Sequence, residues 1–199
     1  RPKLILQNIT TPLKSWDKHQ PFLYVGFDHV QGAKKLADYY IKRYGKKAKY
    51  AVLYGPKGYV SDMRGKEFIG YISKNSKMKL LEEYYTDFNK QKAYKAVIDL
   101  LDRHKEGVDF IYACSTDISL GAIEALKAKG YGSKIAVNGW GGGESELKAI
   151  MDGSMDVTVM RMNDDNGVAM AEAIKLDIEG SLSKVPTVFS GDLEIITKQ

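Results

Sequence analysis

Cysteine is almost absent from these 199 residues. Cys114 stands alone, which excludes an intrachain disulfide, leaves the redox compartment open and rules out a multi-thiolate zinc site. The three histidines, His19, His29 and His104, are scattered, and no His-Glu-x-x-His pair occurs among them, so no metal centre is expected. No run approaches the roughly 20 consecutive apolar residues of a membrane span, so no direct membrane insertion is expected.

The signatures of phosphate and acyl chemistry are missing too. Neither Gly-x-Gly-x-x-Gly nor a Walker A loop is present, although close approach to a phosphate demands bare backbone in such loops. The nearest stretch, Gly139-Trp140-Gly141-Gly142-Gly143, has the wrong spacing, and its indole would obstruct a pyrophosphate. No Gly-x-Ser-x-Gly elbow exists, and Ser115 has no histidine nearby in sequence. The expectation is a protein that is not an enzyme and has no cofactor. The chain opens on Arg1-Pro2-Lys3, with no initiating Met and no apolar leader, which reads as a processed or truncated product.

What is present is a 44% hydrophobic composition, enough for a substantial core, and a net charge of +5 from 30 basic and 25 acidic residues. Much of the excess lies in Lys34, Lys35, Lys42, Arg43, Lys46, Lys47 and Lys49. With no groove-reading motif beside it, this cluster reads as a solvated helix face, and nucleic acid is not expected as a partner.

Short β-rich runs alternate with longer segments of 3.6 period, the pattern of βαβ units around a parallel sheet. Strands are expected at Leu4 to Gln7, Phe22 to Phe27, Ala51 to Tyr54, Lys79 to Tyr85, Val108 to Ala113, Ile135 to Asn138 and Val157 to Met160. After Asp28 as N-cap, a helix buries Val30, Ala33, Leu36, Ala37, Tyr40 and Ile41. Others run through Met63 to Ile72, Lys90 to Arg103, Leu120 to Ala128 and Leu147 to Met151. Past Arg161 a helix capped by Asn163-Asp164-Asp165 runs to Ile178, and Pro186 to Ile196 is expected to hold two short strands joined at Gly191-Asp192. Thr10 to Pro21 reads as a linker. The fold class is α/β, a doubly wound parallel sheet.

In such sheets ligands lie outside the carboxyl ends of the strands. Asn8, Arg64, Thr116, Asp117, Trp140 and Arg161 all fall at or just after those ends. Guanidinium, amide, carboxylate, hydroxyl and indole groups together suit a small polyhydroxylated ligand. Each has a structural reading as well: a turn for Asn8, a helix cap for Asp117, core for Trp140, surface for the arginines.

Six segments carry a resemblance: residues 5–12, 16–29, 61–65, 112–117, 138–143 and 159–165, including Ser61-Asp62-Met63-Arg64-Gly65 and Asn138-Gly139-Trp140-Gly141-Gly142-Gly143. Through them the chain resembles the type I periplasmic binding proteins, in particular the LuxP-like autoinducer-2 receptors. The resemblance implies a periplasmic, non-catalytic receptor contacting its ligand through the six residues above. That ligand would be a furanosyl borate diester, with boron part of the ligand, and Arg64 and Arg161 would balance its charge. It implies signalling by lobe closure to a LuxQ-type membrane sensor histidine kinase. It also implies a missing amino-terminal lobe, and sets a crossover strand and hinge at residues 1–12, a carboxy-terminal lobe at 13–161 and a returning tail at 162–199. The sugar-binding component of an importer, of ribose or galactose type, is the nearest alternative. The effector core of a LacI-like repressor and a doubly wound enzyme are more distant ones.

Overall fold

The structure is a computed structural model that describes residues 3–7, 22–45, 47–104, 107–162, 166–185 and 188–198. Asn8, the Thr10 to Pro21 linker and the Asn163-Asp164-Asp165 cap lie outside these residues. The chain forms two compact units, one of Arg1–Asp28 with Arg161–Leu193 and one of His29–Met160 with Glu194–Gln199.

In the smaller unit, strands β1 (Ile5–Gln7) and β2 (Leu23–Phe27) pair in parallel, Ile5 opposite Leu23, and β2 pairs in parallel with the start of β8 (Val188–Thr197). The lobe boundary read at residue 13 falls before β2, whereas β2 hydrogen-bonds to β1 and β8 and so groups with them. β8 is one ten-residue strand where two were expected, because Gly191 pairs with Phe27 inside the ladder and makes no turn. Helix α7 (Asn166–Ile178) packs Ala173 against Leu23 and Val25.

The larger unit holds β3 (Lys49–Tyr54), β4 (Lys79–Tyr85), β5 (Phe110–Ala113), β6 (Ala136–Gly141) and β7 (Val157–Met162), of which Val157–Met160 fall in this unit. All its pairings are parallel, in the order β4-β3-β5-β6-β7. β3 and β5 are buried almost throughout, as expected for a parallel sheet covered on both faces. Helix α1 (His29–Tyr44) packs with α3 (Glu67–Asn75), and α4 (Lys90–Arg103) packs with α5 (Thr116–Ala128).

Four helical segments differ from the sequence reading. α1 buries His29, Gly32, Ala33, Leu36, Ala37 and Tyr40, while Val30 and Ile41 are only half-buried, so its stripe is rotated toward His29. α5 starts at Thr116, four residues before the expected Leu120. The Ser115 side chain caps it by accepting from Ile118 N at 3.5 Å, and Ile118 and Ser119 are already buried. Between β3 and α3 the chain forms a short turn of helix, α2 (Tyr59–Ser61), and then a π-helical stretch over Asp62–Lys66, where one continuous helix was expected. Helix α6 (Glu144–Met151) begins three residues earlier than its periodicity suggested.

The core of the larger unit is aromatic. Phe110 is sandwiched between Tyr40 (ring centroids 4.0 Å apart, 9° between planes) and Tyr50 (5.0 Å, 3°), and Phe68 stacks on Tyr112 at 3.7 Å. Contact between these rings adds to the area each already removes from water.

Candidate ligand-binding site

β3 continues outward to β4, while the chain returns past it to place β5 on its other side. The connections leaving β3 and β5 therefore run apart, and in an open α/β sheet that divergence opens a crevice at the carboxyl ends. Arg64 follows β3 and Thr116 follows β5, one on each side.

Arg64 sits in the π-helical stretch, a wider turn that often marks functional positions. Only 7% of it is exposed. Its Nε donates to His29 Nδ1 at 3.2 Å and its Nη1 to the Cys114 carbonyl at 2.9 Å. The guanidinium carbon lies 4.3 Å from the centre of the Trp140 ring, a cation–π arrangement that fixes the plane of the fork. Gly65 permits this packing: a Cβ there would lie 2.1 Å from the Tyr54 ring.

Trp140 lies within β6 and is 2% exposed. The sequence reading placed it after the strand with its face open to a sugar. In the fold that face carries Arg64, and the indole Nε1 donates to Tyr112 Oη at 3.1 Å. Tyr112 Oη in turn donates to the Arg64 carbonyl at 2.9 Å. Burial holds the Tyr112 phenol well above its ordinary pKa, with the nearby Cys114 adding to the rise, so it stays a neutral donor.

Thr116 opens α5, half-buried, and its Oγ1 donates to Glu146 Oε1 at 2.6 Å, with the Trp140 carbonyl 3.2 Å away. Asp117 is exposed in the first turn of α5, where the helix dipole favours a carboxylate; the cap itself is Ser115. Arg161 belongs to the smaller unit, where its guanidinium lies 5.0 Å from the centre of the Phe27 ring. The structure thus brings Arg64, Trp140 and Thr116 together, sets Asp117 beside them in sequence, places Arg161 in the other unit, and does not describe Asn8.

Sequence reasoning missed four supporting residues: His29, Tyr112, Asn138 and Glu146. Asn138 is fully buried and uses its amide as a strand would. Its Oδ1 accepts from Ala113 N at 2.9 Å and its Nδ2 donates to the Ala113 carbonyl at 2.8 Å, holding the carboxyl ends of β5 and β6 together. Glu146 is 0% exposed and accepts four hydrogen bonds, from Trp140 N (2.9 Å), Gly142 N (2.8 Å), Thr116 Oγ1 (2.6 Å) and Thr158 Oγ1 (2.5 Å). One signal was available: a Glu three residues past a glycine-rich turn, at the start of a helix, occupies the position that reaches back to loop N–H groups.

Residues 15–181 match the family described as the periplasmic binding protein domain. The ribose import binding protein RbsB of Escherichia coli (strain K12) is 29% identical over 177 residues, covering 88% of this chain and 58% of that protein. An ABC transporter solute-binding protein from Agrobacterium vitis with bound D-fucose superposes with a TM-score of 0.87 at 20% identity, covering 98% of this chain and 66% of that one. The fructose-binding periplasmic domain of a hybrid two-component system gives 0.85 at 21%, covering 98% and 63%. The chain therefore spans about three fifths of the length of the ribose protein. With the family pattern running through most of its length, the chain belongs to the periplasmic binding proteins.

Proposed function

We propose that the protein carrying this chain is an extracytoplasmic sugar receptor, of the kind that hands its ligand to an importer, and that it releases the sugar chemically unchanged. The observation that carries this reading is the cluster at the crevice: a buried guanidinium fixed on Trp140, a half-buried Thr116 hydroxyl and an exposed Asp117 carboxylate, the donors and acceptors that vicinal hydroxyls require. The relatives support it, since their names speak of ribose import and of bound D-fucose.

Arg161 and Asn8 are proposed as further contacts, with the rest of the pocket supplied by residues outside this chain. No helix among the described residues is long and apolar enough to cross a membrane. A second reading, capture of a furanosyl borate with signalling to a LuxQ-type kinase, draws on the fixed charge of Arg64 and on the two-component relative. The sugar-import relatives favour the first reading. Calorimetric titration with D-ribose, D-fructose and D-fucose tests it: at least one should bind reversibly and be recovered intact. Binding of autoinducer-2 in borate buffer with none of the sugars would favour the second reading.

A further inference from the structure

We infer that Glu146 determines specificity at one remove: by accepting the hydrogen bond of the Thr116 hydroxyl it leaves Thr116 Oγ1 an obligate acceptor, which selects a ligand presenting a hydroxyl donor at that point. The inference rests on the proposed sugar-binding reading and goes beyond it, since it assigns the direction of one hydrogen bond.

The argument starts from hydrogen-bond inventory. Two of the four donors to Glu146 are backbone N–H groups, from Trp140 and Gly142, which can only donate. Each carboxylate oxygen receives one N–H and one hydroxyl: Oε1 from Trp140 N and Thr116, Oε2 from Gly142 N and Thr158. Such a set is complementary to an acceptor-only, ionised carboxylate. A threonine hydroxyl has a single proton. The bond to Glu146 is charge-assisted and, at 2.6 Å, shorter than the 3.2 Å separation from the Trp140 carbonyl, so the hydroxyl directs its one O–H to the carboxylate. What remains for a ligand is a pair of lone pairs. A sugar hydroxyl can donate to them. A carbonyl, ether or fluorine cannot, and an acceptor pressed there meets another acceptor.

The backbone is built to admit this carboxylate. A Cβ on Gly139 would lie 2.5 Å from Glu146 Oε2 and 2.8 Å from Thr158 Oγ1, so the glycine leaves the space the carboxylate fills. Gly142, at φ +74°, turns the chain so that its N–H meets Oε2. The run Gly139-Trp140-Gly141-Gly142-Gly143, unsuited to phosphate, serves as a cradle for an internal anion.

The experiment has two arms. In the ligand-free protein, the Thr116 hydroxyl proton should appear by NMR as a slowly exchanging downfield signal that Glu146→Ala abolishes. Its absence in the unsubstituted protein overturns the Glu146 assignment whether or not sugars bind. In the second arm D-ribose is compared with its monodeoxy and monofluoro analogues. At one ring position the fluoro analogue should bind as weakly as the deoxy analogue, about tenfold below D-ribose, since fluorine accepts but cannot donate. Thr116→Val leaves the other three bonds to Glu146 in place and should remove that discrimination. Glu146→Gln should shrink it to about threefold or less. If Glu146→Gln instead weakens D-ribose and every analogue by one common factor, Glu146 is only structural and the inference fails. If neither D-ribose nor D-fructose nor D-fucose binds while the hydroxyl signal is present, the sugar-receptor reading falls, and with it the ligand half of the inference.

Discussion

Phe110 in the larger unit has Tyr40 and Tyr50 stacked on its two faces with Phe68 edge-on, and every one of these rings is buried. In the smaller unit Leu23, Val25 and Ala173 form a buried cluster ringed by the half-buried Ile5, Phe22, Ala169, Met170 and Val185, and Tyr24, Phe27 and Leu193 are buried as well. There α7 leaves Val168, Ile174 and Ile178 in the open, the last 81% exposed. Among the described residues, the rings of the larger unit's stack are wholly buried, whereas three apolar side chains of α7 in the smaller unit stand in water. Because hydrophobic stabilisation scales with area buried, the difference predicts that the larger unit is the more stable and that the smaller one opens more easily.

The largest effect should come from the aromatic stack. Phe110→Ala removes a ring that the rigid sheet cannot collapse around, at about 3–5 kcal/mol by urea denaturation. Leu23→Ala, in the smaller cluster, should cost about 2 kcal/mol, since its half-buried neighbours can move in. Equal losses at the two sites would break the comparison. Ile178→Ser should change stability by less than about 0.5 kcal/mol, and a larger loss would mean that this face of α7 is covered. By hydrogen exchange, amides of β1, β2 and α7 should exchange well before those of β3 and β5, and simultaneous exchange would show one cooperative block.

Alkaline pH sharpens the same contrast. Burial pushes the Cys114 thiol up to about 12 and Tyr50 up to about 12, and holds Tyr40 and Tyr112 well above their ordinary values, all in the larger unit. Groups whose folded pKa exceeds the unfolded one contribute stability that is complete below the unfolded value and lost as pH rises through the folded value. The larger unit should therefore lose stability between about pH 9 and 12. Cys114 should resist thiol reagents until the chain unfolds. Reactivity at neutral pH would contradict its burial.

The βαβ alternation was legible because buried parallel strands are short apolar runs and their covering helices have 3.6 period. β4 and α4 match their expected limits to the residue. What escaped was decided by contacts between elements. Gly191 looked like a turn until its pairing with Phe27 placed it inside β8. The π-helical stretch at Arg64 lies against the Tyr54 ring of β3 through Gly65, a close approach that periodicity does not reveal. At the crevice, Arg64, Thr116 and Trp140 could be named from their place after strands. The fit of the guanidinium on the indole and the role of Glu146 could not, because a buried carboxylate declares itself only when its donors converge.

The central claim is that the crevice around Arg64 holds the ligand, and calorimetric titration of the best-binding sugar into Arg64→Ala, with the exposed Arg103→Ala as control, tests it most directly. A lost charge-assisted hydrogen bond of about 1.5–3 kcal/mol predicts affinity lower by about ten- to a hundredfold in Arg64→Ala and unchanged in Arg103→Ala. Undiminished affinity in a folded Arg64→Ala would contradict the account.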